Sequence, residues 1–338
     1  MNRVAVVVLN WNGMEDTVDC LSFLSKQTYR DFHIILIDNG SIEADTDENL
    51  EMLQSTYTNQ LTIVRNKKNQ GFAGGVNIGI RMALEQNYDY VALLNNDANV
   101  DKDWLEHLVA SADVRGSGIT TGLLLHSDGK TIDSTGDWCS VWGLPFPRNR
   151  NDKRAEAPKS EPVFSGSGGA SLYSVEMLRE IGLFDEKFFA YYEDTDISFR
   201  AQLYKWEVYY VDGAVAYHKQ GATSDKIPGF AVYQTFKNLP LFYIKNMPLR
   251  LIPSTGSRFL LAYLLMLGNA LKNGNSIPAL KGWLAQVPLF WLHAIPERIK
   301  IQQGRKATSE HIKSILWPDL PPDQTGLRKF RQVFTGKK

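Results

Sequence analysis

Cysteine is nearly absent. Cys20 and Cys139 are the only two in 338 residues, far apart and without metal-ligand spacing. That excludes a disulfide framework and a thiolate metal site, and it points to a reducing compartment. Phosphate-loop motifs are missing as well. The one Gly-Lys-Thr, Gly129-Lys130-Thr131, would need a glycine at 124, where Leu124 stands. The dinucleotide fingerprint needs three glycines after the first strand, and only Gly13 is there, so a P-loop NTPase and an ordinary dehydrogenase are both excluded. No apolar run reaches the ~20 residues that span a bilayer: 259–272 falls short, and 279–296 is broken by Lys281, Pro288 and His293. Acid is scarce in one part of the chain only. Residues 1–239 carry 22 Lys/Arg against 33 Asp/Glu, and residues 240–338 carry 15 against 4, so a net charge of zero conceals −11 and +11.

What is present is an alternation of strands and helices. "VAVVVLN" (4–10) is a β-branched run of the kind buried on both faces of a parallel sheet, and it reads as a first core strand rather than a secretion signal. A helical pattern through Leu21 and Leu24 follows. "FHIILIDNGS" (32–41) repeats the design, a polar helix fits 43–60, and "LTIVRN" (61–66) is a third strand. "GFAGGVNIGIRMALEQ" reads as a Gly-rich turn feeding a helix, and "YVALLNND" as a fourth strand. Such alternation predicts βαβ units and a mostly parallel sheet with helices on both faces. Residues 115–162 read as irregular, with "DWCSVWGLPFPRNRNDKR" a mobile, partly exposed loop. "PVFSGSGGASLYSVEMLREIG" reads as a turn leading into a helix, "FFAYYEDTDISFRAQLYKW" as a helix with acids at its start, and "EVYYVDGAVAYH" as two short strands. The organisation expected is a catalytic domain over 1–240 and a basic, amphipathic helical region over 241–338.

Three strand ends are polar: Asn10-Trp11-Asn12, Asp38-Asn39-Gly40-Ser41 and Asn95-Asn96-Asp97. One polar strand end is a turn. Three on the carboxyl edge of an open α/β sheet predict a ligand site. Asp38 is placed to accept a hydrogen bond from the N3–H of a pyrimidine. Asp97, a hard oxygen ligand, suits Mg²⁺ or Mn²⁺ bridging two phosphates, the ion neutralising charge on a departing diphosphate. In "YYEDTD", Glu193, Asp194 and Asp196 crowd together, and like charges this close raise at least one pKa, as a general base requires.

Taken in order, "VVVLNWNG", "IDNGS", "NQGFAGGVNIGI", "LLNNDANV", the segment from "SGSGGASLYS" to "YYEDTDISFR", and "AVAYH" make the chain resemble a family 2 glycosyltransferase of the GT-A fold. The resemblance covers roughly residues 4–240 and is nearest to bacterial rhamnosyltransferases of cell-envelope polysaccharide synthesis. It implies that Asn10, Asn12, Asp38 and Asn39 hold the nucleoside. Asn95, Asn96 and Asp97 stand where the family has its D-x-D motif, with Asn95 in place of the first acid. Gly71, Phe72, Gly74, Gly75 and Asn77 would lie along the donor. Asp194 becomes the catalytic base, supported by Glu193. Asp97 and His218 become the metal ligands, for Mg²⁺ or Mn²⁺. Arg200, one helical turn after Asp196, would pair with it or reach the phosphates.

The activity so implied is inverting transfer of a sugar, rhamnose from dTDP-rhamnose or a hexose from a UDP-sugar, to a lipid-linked or growing surface glycan. A non-catalytic nucleotide- or glycan-binding module is the rival from another class, and the presence of both Asp97 and Asp194 opposes it. A nucleotidyltransferase is disfavoured because no Gly-rich, basic phosphate loop follows the first strand. The basic tail, with Trp283 and Trp291 beside Lys/Arg, reads as amphipathic helices on an anionic membrane surface, placing the protein in the cytoplasm on the inner face of the membrane. Packing against the catalytic domain or a homodimer interface is the other reading. No nucleic-acid partner is expected, since no aromatic-interleaved basic sheet or helix-turn-helix pattern is present.

Overall fold

The structure, a computed structural model, describes residues 2–219 and 227–322 together with 324, 326 and 328. Strands β1 (Val4–Asn10), β2 (Phe32–Asp38), β3 (Leu61–Arg65) and β4 (Tyr90–Asn95) pair in parallel, in the spatial order β3-β2-β1-β4. Helices α1 (Met14–Leu24), α2 (Thr46–Thr56) and α3 (Gly71–Glu85) connect them. Side chains alternate across a strand, and both faces of β1 are covered. Val4, Val6 and Val8 join Leu21 and Leu24 of α1 in one core, while Ala5 and Val7 meet Val76 and Ile80 of α3 in the other. Helix α3 lies so close to β1 that a Cβ on Gly75 would stand 2.4 Å from Leu9 Cδ1.

Beyond β4 come β5 (Ala98–Val100), α4 (Trp104–Arg115), β6 (Ile119–His126), β7 (Ile132–Ser134), the hairpin β8 (Asp137–Cys139) and β9 (Pro145–Pro147), and β10 (Glu161–Pro162). Then follow β11 (Ala170–Ser174), α5 (Val175–Ile181), α6 (Glu193–Leu203) and β12 (Val208–His218). Strand β11 runs antiparallel between β4 and β6, and β12 runs parallel to β6. Several sequence expectations are corrected here. Residues 115–162 are not irregular throughout, because β6 is an eight-residue core strand. The supposed mobile loop is a hairpin that buries Cys139 and Phe146, and the chain returns to cover it: Trp317 exchanges backbone hydrogen bonds with Cys139 and Val141. "VYYVDGAVAYH" is one strand with a bulge between Val211 and Val215 rather than two. The expected Gly-rich turn is confined to Gly71, which opens α3 with a left-handed φ of 76°.

Helices α7 (Phe230–Asn246), α8 (Ile252–Lys272) and α9 (Ser276–Leu289), a π-helical turn over Phe290–Ala294, α10 (Ile295–Gly304) and α11 (Ser309–Ile315) complete the chain. Residue 240, where the charge changes sign, lies inside α7. Phe236, Leu239 and Phe242 of that helix share a third core with Phe199 and Leu203 of α6. The joint is also ionic. Asp196, fully buried, accepts from Arg200 Nε at 3.1 Å and Asn246 Nδ2 at 2.8 Å and is paired with Lys245 Nζ at 2.9 Å. Lys245 also meets Asp185, which accepts from His293 Nε2 at 2.7 Å. Burial works against the Asp185 carboxylate, but Lys245 and the hydrogen bond from His293 outweigh it and hold its pKa well below the usual range.

Helix α8 extends the 259–272 run in both structure and length, so that Leu249–Lys272 is long and apolar enough to cross a membrane by length and composition. One face of it is nonetheless packed within the protein, where Tyr243 and Phe259 stack 4.2 Å apart and Phe236 meets Tyr263 at 5.4 Å.

Candidate active site

The register of the parallel strands lines up their carboxyl ends, pairing Asn10 with Asp38, Leu9 with Asn95 and Asp38 with Arg65. Chain that leaves this edge forms the floor of a cleft of about 970 Å³. Asp97 turns the chain from β4 into β5, and β5 pairs with β12 so that Ala98 opposes His218. His218 Nε2 therefore comes within 3.2 Å of Asp97 Oδ1 while its Nδ1 meets Asp133 Oδ2 at 2.9 Å. Burial disfavours the imidazolium, but the two carboxylates outweigh it and raise the pKa of His218 to about 9. Asp133 is in turn paired with Arg150 Nη2 at 2.8 Å, and these partners overcome burial and keep its carboxyl ionised below the ordinary pKa.

The opposite wall holds the acids. Helix α6 begins at Glu193, straight after Phe189, Tyr191 and Tyr192, which have φ of 66°, 69° and 75°. Bulky side chains rarely enter this left-handed region, and such strain persists only where surrounding bonds enforce it. Here Asn238 of α7 enforces it. Its Nδ2 lies 2.9, 2.8 and 2.8 Å from the carbonyl oxygens of Phe188, Ala190 and Tyr191, and Lys237 Nζ donates to the first of these at 3.1 Å. The turn thus aims Glu193 and Asp194 into the cleft. Asp194 accepts from the Gly168 N–H at 3.1 Å and the Thr195 N–H at 2.7 Å. Burial still raises its pKa against those bonds. Burial and the charge of Asp194 push both Glu193 and Asp137 up to about 8. Glu193 Oε2 is buried without a hydrogen-bond partner among the described residues. The arrangement sets a proton acceptor across a cleft from a carboxylate–imidazole pair.

The cleft brings together Asn39, Gly71, Phe72, Asn95, Asn96, Asp97, Glu193, Asp194 and His218 of the residues predicted from sequence. The others lie elsewhere, for identifiable reasons. Asn10 and Asp38 are fully buried beneath the cleft, Asn10 Nδ2 donating to Asp38 Oδ1 at 3.1 Å and to Ser41 Oγ at 3.1 Å. Asn12 accepts from the Ile42 N–H at 2.9 Å and shapes the loop after β1. Gly74 and Gly75 serve packing inside α3, where an added Cβ on Gly74 would meet Gln70 Cβ at 2.9 Å. Asn77 ties α3 to the segment before the strained turn, bonding Phe184 through both its amide groups. Arg200 spends its guanidinium on Asp196 and the carbonyls of Ile181, Gly182 and Leu183. Even within the cleft, Asn96 uses its amide to hold Gly13 and Thr17. Sequence reasoning missed Asp133, Asp137 and Arg150, which line the cleft from the segment taken for a loose loop. The signal available was two acids four residues apart around Gly136.

Comparison with known proteins agrees with this geometry. A family model described as "Glycosyl transferase family 2" matches residues 5–182. The chain is 22% identical to the low-salt glycan biosynthesis hexosyltransferase Agl10 of Haloferax volcanii, over 70% of this chain and 74% of that one. It is 26% identical to the N-acetylglucosaminyl-diphospho-decaprenol L-rhamnosyltransferase of Mycobacterium tuberculosis, over 66% and 78%. Among solved structures it is similar to GalNAc-T7 with UDP, GalNAc and Mn²⁺, at a TM-score of 0.55 and 19% identity over 72% of this chain and 50% of that one. It is also similar to S. aureus TarS 1-349, at 0.54 and 16% over 92% and 91%. The fold is GT-A, a mostly parallel sheet flanked by helices.

The strained turn supplies a test. Asn238→Ala removes the only amide that the described residues direct at three of its carbonyls, so Glu193 and Asp194 lose their placement. Turnover should fall by ~10²-fold, with substrate KM nearly unchanged, because a displacement of about 1 Å is enough for such a loss. Steady-state kinetics beside a thermal melt separate this from simple unfolding.

Proposed function

Because the chain belongs to glycosyl transferase family 2, we propose that its cleft moves a sugar, with inversion, from a nucleoside diphosphate to a hydroxyl of a lipid-linked or growing cell-surface glycan. The observation that carries this reading is Asp194, half-buried, raised in pKa and aimed into the same cleft as Asp97 and His218. Asp194 takes the acceptor hydroxyl proton. The oxygen attacks the anomeric carbon as the bond to the diphosphate breaks on the opposite face, and the bonding electrons leave with the diphosphate oxygen. Glu193 supports the base or touches the acceptor. The rhamnosyltransferase relative supports a dTDP-rhamnose donor. A UDP-hexose is the second reading, favoured by the hexosyltransferase relative.

The residues present fit a divalent cation. Asp97 offers a hard oxygen, and His218 Nε2, 3.2 Å from it, would offer an imidazole nitrogen once the ion had displaced its proton. No group of three or more His, Cys, Asp or Glu among the described residues could hold an ion, so phosphate oxygens and water would complete its shell. Two of the similar structures were solved with Mn²⁺. Such an ion supplies Lewis-acid stabilisation of the leaving diphosphate.

Helices α8 and α9 and the π-turn support a membrane partner at the inner face. Leu264, Ile277, Leu284, Trp291 and Leu292 are exposed there, Leu292 at 80%. Residues 247–296 contain no acid and four Lys/Arg. Apolar side chains rimmed by cations match an anionic lipid surface. Because the opposite face of α8 is packed on α7, the helix lies on such a surface rather than crossing it.

Three outcomes are expected. Asp194→Asn should lower turnover by ~10²–10⁴-fold with donor binding nearly intact, and the wild-type rate should rise with pH through an acid limb above the ordinary carboxylate range. Unchanged turnover would shift the base to Glu193. EDTA should abolish transfer, added Mn²⁺ or Mg²⁺ should restore it, and Asp97→Ala should resist that rescue. Full activity without any divalent ion would remove the role given to Asp97. The full chain should co-sediment with anionic vesicles at low salt and much less with neutral ones, and Trp291→Ser with Leu292→Ser should weaken both. A stable dimer with no vesicle binding would assign the face to self-association.

A further inference from the structure

The cleft presents five acidic side chains, Asp97, Asp133, Asp137, Glu193 and Asp194, of which burial holds Glu193 and Asp137 toward the neutral form, to a donor that itself carries a doubly charged diphosphate. Like charges in a partly desolvated cleft repel strongly, so the wall must hold fixed positive charge where the diphosphate lies. The described side chains lining the cleft include two candidates, His218 and Arg150. His218 has both ring nitrogens engaged, one with Asp97 and one with Asp133. Arg150 is differently disposed. Its Nε donates to the Asp133 carbonyl oxygen at 3.1 Å and its Nη2 to Asp133 Oδ1 at 2.8 Å, which fixes the plane of the guanidinium. Asp133 itself is buried, and the Arg150 side chain remains 42% exposed. Nη1 donates to nothing among the described residues.

We propose that Arg150 binds the donor's diphosphate and stabilises the charge that builds on it as the sugar departs. The inference rests on the reading of the cleft as a nucleotide-sugar site. Asp97, His218, Asp133 and Arg150 form an unbroken chain of contacts along one wall, which ties the guanidinium to Asp97 through three ion pairs. A planar fork with unused N–H groups suits phosphate oxygens, and donors already oriented need no rearrangement as charge develops. Anchoring by Asp133 also explains why a buried carboxylate faces this wall: it holds the arginine and the histidine at fixed separation.

The test is nucleotide binding by titration calorimetry on the full chain, using UDP, dTDP and the matching nucleosides, with and without Mn²⁺, for wild type, Arg150→Gln and Arg150→Lys. Arg150→Gln should weaken both diphosphates by roughly 10- to 100-fold, the scale of a hydrogen bond to a charged group, and leave the nucleosides unchanged. Arg150→Lys should recover part of the loss, since charge returns without the fork. The difference should persist in EDTA. Equal diphosphate affinity in wild type and a folded variant, or equal weakening of nucleoside and diphosphate, overturns the proposal. A rise in acceptor KM alone overturns it too and moves Arg150 to the acceptor. A wild-type chain that binds no nucleoside diphosphate instead strikes the reading of the cleft.

Discussion

One buried carboxylate, Asp196, holds the strained turn before α6 to the rest of the molecule. It sits at the start of α6, three residues from Glu193, and its partners come from two directions: Arg200 on its own helix, Lys245 and Asn246 on α7. A buried ion pair of this kind adds little net stability, because desolvation offsets the attraction. Losing one partner, by contrast, costs about 3–5 kcal/mol through the charge left uncompensated. The network therefore acts mainly as a lock on geometry. With α7 fixed against α6, Asn238 reaches the carbonyls of the strained turn. Lys237 lies beside them, its pKa lowered by burial to about 8 although Glu193 and Asp185 oppose the shift. The strained turn at Phe189, Tyr191 and Tyr192 is held from two sides, by Asn238 and Lys237 of α7 and by the Ala73 N–H of α3, which donates to the Phe189 carbonyl at 3.2 Å.

The two walls of the cleft solve opposite electrostatic problems. On the α6 side burial favours the neutral forms of Glu193 and Asp137, leaving Asp194 as the group whose carboxylate is supported by two backbone N–H groups. On the β12 side His218 stands between Asp97 and Asp133, and Asp133 between His218 and Arg150, so the buried acid and the imidazole there are held toward their charged forms. A proton acceptor and a counter-charge for an anion can coexist in one cleft because their environments push their protonation in different directions.

Much of this was legible in the sequence where local pattern decides structure. The four parallel strands follow from β-branched runs, and their polar ends identify the ligand edge. "YYEDTD" and "AVAYH" identify the acids and the histidine. Arg200 takes the first of the two roles expected of it, pairing with Asp196. Asn10, Asp38 and Asn77, at strand or helix ends beside the cleft, spend polar atoms on neighbouring backbone or side chains. Sequence shows that a polar group is present but not whether its partner belongs to the protein. The hairpin carrying Asp137 was misread because Gly, Pro and Trp mark turns locally. Its order comes from Trp317, 180 residues farther along, and so from a contact that no local pattern records.

Helix α7 runs without a break through the position where the chain turns from acidic to basic. The carboxyl-terminal helices are therefore not an exchangeable cassette. A chimaera joined at residue 240 would separate Asn238 from Lys245 and Asn246 and place the two ends of the α6 clamp on polypeptides of different origin. Recombination that leaves Glu193 and Asp194 in place must cross over after Met247, and sequence drift in α7 is bound to drift in the turn it holds. The exposed apolar face of the carboxyl-terminal helices and the turn that aims Glu193 and Asp194 are thus inherited together.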